Sequence, residues 1–112
     1  QSRPGKMEFS KIIARALEIR RKFAAMEEKR YGSAWNREEL ALGFVGDVGD
    51  LAKLVTAMEG KRAIPDAEAK LAHELSDCLW SVIALADAYQ IDLEKAFLQT
   101  MQELDEHIVF TE

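Results

Sequence analysis

Apolar residues recur at three- and four-residue steps along almost the whole chain, and no segment alternates cleanly with period two. That pattern leaves little room for anything but helices. Phe9, Ile12, Ile13, Ala16, Leu17 and Phe23 form one stripe, which predicts a helix from about residue 8 to residue 30, ended by Tyr31-Gly32-Ser33. Asn36 is a good N-cap, with Glu38 and Glu39 near the positive end of a second helix that runs to about Met58 and stops at Gly60. A loop with Lys61, Arg62 and Pro65 follows. Asp66 is expected to cap a third helix reaching about Tyr89, and Asp92 a fourth carrying Leu93, Ala96, Phe97, Thr100, Met101 and Leu104. Four helices with short connections predict an all-α, four-helix bundle-type architecture. With 112 residues the chain is expected to be a single domain, 1–112, with Gln1 to Lys6 as a flexible leader.

The third helix is apolar over most of its circumference after Asp77: Cys78, Leu79, Trp80, Val82, Ile83, Ala84, Leu85 and Ala86. Such a helix is buried on several sides. A chain this short has a limited core of its own. Both points predict burial against a second subunit, in an oligomer.

Composition narrows the function classes. Hydrophobic residues make up 48%, which argues against disorder. The net charge is −5 but unevenly spread: residues 1–35 carry nine Lys/Arg against four Asp/Glu, residues 36–90 five against ten, and residues 91–112 one against six. No face reads as a broad basic platform, so a nucleic acid polymer is not an expected partner. The basic first segment is expected to pair with the acidic last one. Cys78, the only cysteine, lies in an apolar run; it excludes an internal disulfide and fits a reducing compartment. The longest apolar run, broken only by Ser81, is too short to cross a bilayer, and no signal peptide is visible, so no membrane partner and a cytoplasmic location are expected.

Two acidic steps carry the chemistry: Asp47-x-x-Asp50 on the second helix and Glu74-x-x-Asp77 on the third. A three-residue helical step places both side chains on one face, roughly 5–6 Å apart at Cβ. Asp47 and Asp50 sit among Val45, Val48 and Leu51 without interleaved Lys or Arg, unlike a solvated face. Asp77 lies past the first turn of its helix, so helix-end charge does not account for it. If the two faces meet, four carboxylates share one pocket, and their mutual repulsion calls for a hard cation. Mg²⁺, with its oxygen ligands, is the expected cofactor, with Mn²⁺ as an alternative.

Gly43, Gly46 and Gly49 recur every three residues beside these acids. Each glycine inside a helix costs about 0.5–1 kcal/mol relative to alanine, so the stripe is expected to admit a closely packed helix. Trp80 is expected in the core. Trp35, just before an N-cap, has the more open setting that suits stacking on a base. Lys53, one turn after Asp50, and Lys61 and Arg62 in the loop are candidate phosphate contacts. His73 is expected at the surface and His107 as a helix-end cation. Neither histidine belongs to a Glu-x-x-His step, which disfavours a di-iron bundle.

The segment GFVGDVGDLAKL, Gly43 to Leu54, resembles the VGEVGEL segment of the MazG-like all-α nucleoside triphosphate pyrophosphohydrolases, a superfamily that includes dCTP pyrophosphatase. HELSDCLWSVIALADAYQIDLEKAF, His73 to Phe97, is similar to the second half of that motif, with Glu74 and Asp77 at its acidic positions. The resemblance covers about residues 37–101. It implies a Mg²⁺-dependent enzyme that cleaves a nucleoside triphosphate between its α- and β-phosphates, with Asp47, Asp50, Glu74 and Asp77 as metal-binding and catalytic residues. It also implies a homodimer or homotetramer whose pocket a partner subunit can complete. Two alternatives accompany it: a phosphoribosyl-ATP pyrophosphohydrolase-like enzyme on a similar scaffold, and a non-catalytic helical module that binds a metal, a nucleotide or a protein.

Two departures from the family pattern bear on mechanism. Aspartates at 47 and 50 replace glutamates, which draws a shared ion nearer the second helix or interposes water. The last helix, Thr100 to His107, reads TMQELDEH where the family often carries Lys, Asn and Arg for phosphate. Phosphate contacts must then come from Lys53, Lys61, Arg62 or the basic first helix, or else the substrate differs or catalysis is weak.

Overall fold

The computed structural model describes residues 7–111, and the leader expected at Gln1 to Lys6 lies outside them. Four helices follow in order: α1 (Phe9–Tyr31), α2 (Arg37–Met58), α3 (Ala67–Ala88) and α4 (Leu93–Thr111), with no strand among the described residues.

Most helix ends are set by local chemistry. Gly32 closes α1 with φ +91°, and its N–H donates to the Glu28 carbonyl at 2.9 Å. Asn36 opens α2 through a reciprocal capping box: its Oδ1 accepts from Glu39 N–H at 2.8 Å, and Glu39 Oε1 accepts from Asn36 N–H at 2.9 Å. Asn36→Ala should lower stability by about 1 kcal/mol, seen as a fall of about 4–8 °C in melting temperature for a domain near this size. Gly60, at φ +78°, follows α2, and Lys61 N–H closes back on the Thr56 carbonyl. Asp92 caps α4 by accepting from Lys95 N–H at 3.1 Å. Asp66 departs from expectation. It stands at the N-cap of α3 with φ +54° and makes no side-chain cap bond. Its left-handed backbone turns the carboxylate away from the first-turn N–H groups, so only its carbonyl joins the helix, accepting from Lys70 N–H.

The centre of the fold is an antiparallel α2–α3 pair. Arg37 Nε donates to the Ala88 carbonyl, Ser81 Oγ donates to Asp47, and the Asp50 and Glu74 carboxylates meet, so positions rise along α2 as they fall along α3. α1 lies across α3. Trp80 Nε1 donates to the Ala16 carbonyl at 3.0 Å, and its ring packs on Phe23 at 5.4 Å between centroids. Trp80 thus sits in the α1–α3 contact, but only part-buried and not among the buried core residues expected to include it.

The apolar core is small: Leu54, Ile83, Ala84 and Ala86 are the buried hydrophobic residues. Leu75 and Leu79 on α3 remain about half exposed, so the single chain does not bury α3 on several sides. α4 makes few contacts with the other three helices: Phe97 and Leu98 line an open apolar groove with Phe9, Leu79 and Val82, and they, Leu104 and Ile108 stay more than half exposed. The radius of gyration is 17.3 Å, against about 13 Å for a compact chain of this length. The bundle is therefore not closed by α4 within one chain.

Two further expectations are corrected. At Gly46 and Gly49 a Cβ would meet no non-local heavy atom within 4 Å, so no helix packs on that part of the stripe. Only Gly43 meets a neighbour, and that neighbour is the Trp35 ring. Nor, among the described residues, does the basic first segment pair with the acidic last one. Among the described residues the ion pairs of α1 are internal to it: Arg15–Glu18, Lys22–Glu18 and Arg20–Glu27. Partners three to seven residues apart on one helix are already held near each other.

Candidate metal centre

The two acidic steps predict four converging carboxylates, and the structure brings three of them tightly together. Carboxylate oxygens of Asp47, Asp50 and Glu74 lie within 4.8 Å of one another. The antiparallel register produces this, setting the acidic face of α2 against that of α3. Asp47 and Glu74 are half-buried and Asp50 is exposed, so the cluster opens to solvent on the α2 side. Asp77 stands outside the threefold set. It is paired with His73, whose Nε2 lies 3.2 Å from Asp77 Oδ2 on the exposed side of α3. Asp77 nevertheless acts electrostatically on Glu74 and lines the cavity beside the cluster.

The cluster is electrostatically uncomfortable. Glu74 Oε2 is shut off from solvent and has no hydrogen-bond partner. A buried acceptor left unpaired costs roughly 1–3 kcal/mol, more when charged. The Glu74 carboxyl is held above its ordinary value of 4.5, first by burial and then by the charges of Asp77, Asp50 and Asp47, with His73 opposing. Asp47 is better placed, because its Oδ2 accepts from Ser81 Oγ at 3.1 Å. A hard divalent cation answers both defects: it supplies the orphaned oxygen with a ligand bond and offsets the clustered negative charge. Oxygen donors on a half-open face suit Mg²⁺ or Mn²⁺ and offer little to softer ions. The nearby Cys78 thiol is pushed up, by burial first and then by Asp47, Glu74 and Asp77, which favours its protonated form.

Beside the cluster lies a cavity of about 230 Å³, lined by Arg20, Trp35, Leu40, Gly43, Asp47, Asp77, Trp80, Ser81 and Ala84. Its walls are mainly apolar, with two indoles, and the acids stand on one side. Trp35 rests directly on the α2 backbone at Gly43, where an added Cβ would fall 2.6 Å from Trp35 Cζ3. Gly43→Ala must displace the ring. Because Trp35 is about half exposed it has room to swing out, so the helix survives. The variant should keep or slightly raise its melting temperature while an aromatic ligand in the cavity binds about tenfold more weakly, the scale of one lost aromatic stack. Ligand titration by tryptophan fluorescence together with thermal denaturation checks both arms.

Of the expected phosphate contacts, Lys53, Lys61 and Arg62 are exposed, and none lines this cavity. The cation that does line it is Arg20, which sequence reasoning included in the basic first helix but did not single out. Arg20 is bound end-on by Glu27, Nη2 to Oε1 at 2.7 Å and Nη1 to Oε2 at 3.2 Å, with side-chain exposures of 15% and 10%. Glu27 Oε1 also accepts from Trp35 N–H at 2.9 Å. The Arg20 bonds, followed by the Trp35 N–H, hold the Glu27 carboxyl below its ordinary value against the opposing effect of burial. One α1 carboxylate therefore fixes both a guanidinium and the backbone of the Trp35 wall.

A model of the MazG nucleotide pyrophosphohydrolase domain matches residues 36–107, well over half the chain, and takes in both acidic steps. The protein belongs to that family. No curated protein matches the chain. Among the described residues no helix is long and apolar enough to cross a membrane.

Proposed function

We propose that this protein is a Mg²⁺-dependent nucleoside triphosphate pyrophosphohydrolase, cleaving a (d)NTP to the (d)NMP and pyrophosphate. The observation that carries the reading is the orphaned Glu74 oxygen, set within a three-carboxylate cluster at the mouth of a two-tryptophan cavity on a domain of this family.

In this reading Asp47, Asp50 and Glu74 hold the ion, Mg²⁺ or Mn²⁺. When bound, it neutralises charge developing on the phosphate oxygens and draws them into place. Ser81 fixes Asp47 by donating to it, which leaves the other carboxylate oxygen for the ion. Asp77, outside the threefold set and on the cavity wall, is the carboxylate left to take a proton from the attacking water. The water oxygen bonds to one phosphorus of the α–β bridge and that phosphorus loses its bond to the bridging oxygen, which departs with the electron pair on pyrophosphate if the α-phosphorus is attacked and on the monophosphate if the β-phosphorus is attacked. The cavity between Trp35 and Trp80 takes the base. Lys53, one turn beyond Asp50, and the loop cations Lys61 and Arg62 are left for the distal phosphates. The outward apolar faces of α3 and α4 are covered by further copies of the chain, as a homodimer or homotetramer, inside the cytoplasm.

A panel of (d)NTPs with Mg²⁺, with products separated by ion-exchange chromatography, tests the reading. Monophosphate and pyrophosphate in equal amounts support it. Orthophosphate as the first product, or no product from any member of the panel, contradicts it.

A further inference from the structure

The Arg20–Glu27 pair is too costly to be a surface ornament, and its Arg20 lines the cavity. Two long charged side chains, each at least 85% buried, have left water to meet there. Such a pair is weak evidence for stability, because apolar residues of the same volume often serve as well. Arg20 does not pair with Asp47 or Asp77, although all three line the cavity, and it is not among the charges that act on Glu74. The guanidinium is taken up by Glu27 rather than by the carboxylate cluster. If the phosphates lie at the acids, as the proposed function requires, the base points toward Arg20.

Glu27 engages the guanidinium end-on, using one hydrogen from each Nη. A guanidinium has five N–H donors and no acceptor, so three remain, Nε–H and two on the Nη atoms. Their direction is fixed, because the fork is planar and its far end is clamped. Trp35 is tied to the same carboxylate through its backbone N–H, so the stacking wall and the donor edge share one anchor. The cavity volume, about 230 Å³, falls below the 300–1,000 Å³ or so of pockets that swallow whole drug-sized ligands. That size suits one part of a nucleotide.

We infer that Arg20 is a specificity residue that reads the edge of the substrate base, selecting bases with two adjacent hydrogen-bond acceptors, and that Glu27 is the positioning residue that aims it. Cytosine presents such an edge at O2 and N3, and guanine at O6 and N7. Uracil sets an N–H donor beside its carbonyls and adenine an amino group beside N7, and a donor-only fork meets a donor in both. This inference rests on the proposed function for the placement of the phosphates.

The test is binding of CMP, UMP, GMP and AMP to the full chain with Mg²⁺, read by quenching of the tryptophan fluorescence of Trp35 and Trp80 and confirmed by calorimetry. The wild type should prefer CMP over UMP, or GMP over AMP, by about tenfold or more in Kd. The two comparisons separate a pyrimidine from a purine reader. Arg20→Lys keeps the charge but loses the fork and should bring the preference close to one. The double variant Arg20→Met with Glu27→Gln removes the charge pair while leaving an acceptor for Trp35 N–H, and should do the same while retaining wild-type helicity by circular dichroism. A wild type that binds none of the four, or all four alike, overturns the inference, as does an Arg20→Lys variant that keeps the preference. Failure of the pyrophosphohydrolase reading looks different: no pyrophosphate from any triphosphate, with the monophosphate preferences still measurable.

Discussion

Asp50→Ala is expected to lower kcat/KM for pyrophosphate release by about a thousandfold, the loss of several kcal/mol of charge stabilisation at the reacting phosphates. The same substitution should raise the melting temperature of the metal-free protein. Asp50 makes no ion pair with a described residue, and its charge pushes the Glu74 carboxyl upward. Removing it relieves repulsion without opening a cavity, because the side chain is exposed. A residue that only stabilised the fold would show the opposite sign. Steady-state kinetics and thermal denaturation in EDTA give the two readings. An Asp50→Ala variant of full activity would remove Asp50 from the site. An active-site loss accompanied by a lower melting temperature would mark a folding defect instead.

Arg20→Met is expected to be the most destabilising single change. It leaves the Glu27 carboxylate in place with only the Trp35 N–H to balance its charge. Stranding one member of a buried pair costs about 3–5 kcal/mol, a fall of more than about 12 °C in melting temperature at this size. The sign with pH follows from the direction of the shift. The folded carboxyl of Glu27 is held below its ordinary value of 4.5, first by the Arg20 bonds. Its contribution is therefore present above that value and lost as pH falls through the lower folded value. In Arg20→Met the main lowering cause is gone and burial dominates, so protonation relieves the variant. The stability gap between wild type and variant should thus narrow from about pH 7 to about pH 4. The double variant Arg20→Met with Glu27→Gln should recover much of the loss at neutral pH, because no charge is stranded. A gap that stays constant with pH would mean that Arg20 stabilises α1 by packing alone.

Features set by short-range chemistry were legible in the sequence. Asn36, Gly32, Gly60 and Asp92 act within a few residues of themselves, and the structure uses each as a helix end. The two acidic steps were legible because three residues along a helix fix a shared face; their apolar neighbours Val45 and Val48 did not mark a buried edge on α2, since both are exposed. What failed depended on which neighbour arrives from elsewhere. Spacing showed that Gly43, Gly46 and Gly49 form a stripe, yet only the fold shows that an indole covers the first and open space the others. Asp66 has the right identity for a cap, but the Pro65 loop delivers it with a left-handed backbone. Asp77 shares a face with Glu74 and still turns toward His73 one turn earlier. Arg20 and Glu27 lie two turns apart on α1 among other charges that are solvated. The feature that separates them is the return of the chain at Trp35, a tertiary contact with no local signature.

The claim on which the rest depends is that the Asp47, Asp50 and Glu74 oxygens take up a divalent cation. Mn²⁺ titration without nucleotide, with free Mn²⁺ counted by electron paramagnetic resonance, tests it most directly. The wild type should bind Mn²⁺ saturably, Mg²⁺ should compete for the same place, and binding should disappear in the variant carrying Asp47→Asn, Asp50→Asn and Glu74→Gln while its helicity is kept. Binding of equal strength in that variant, or no saturable binding by the wild type, would contradict the account.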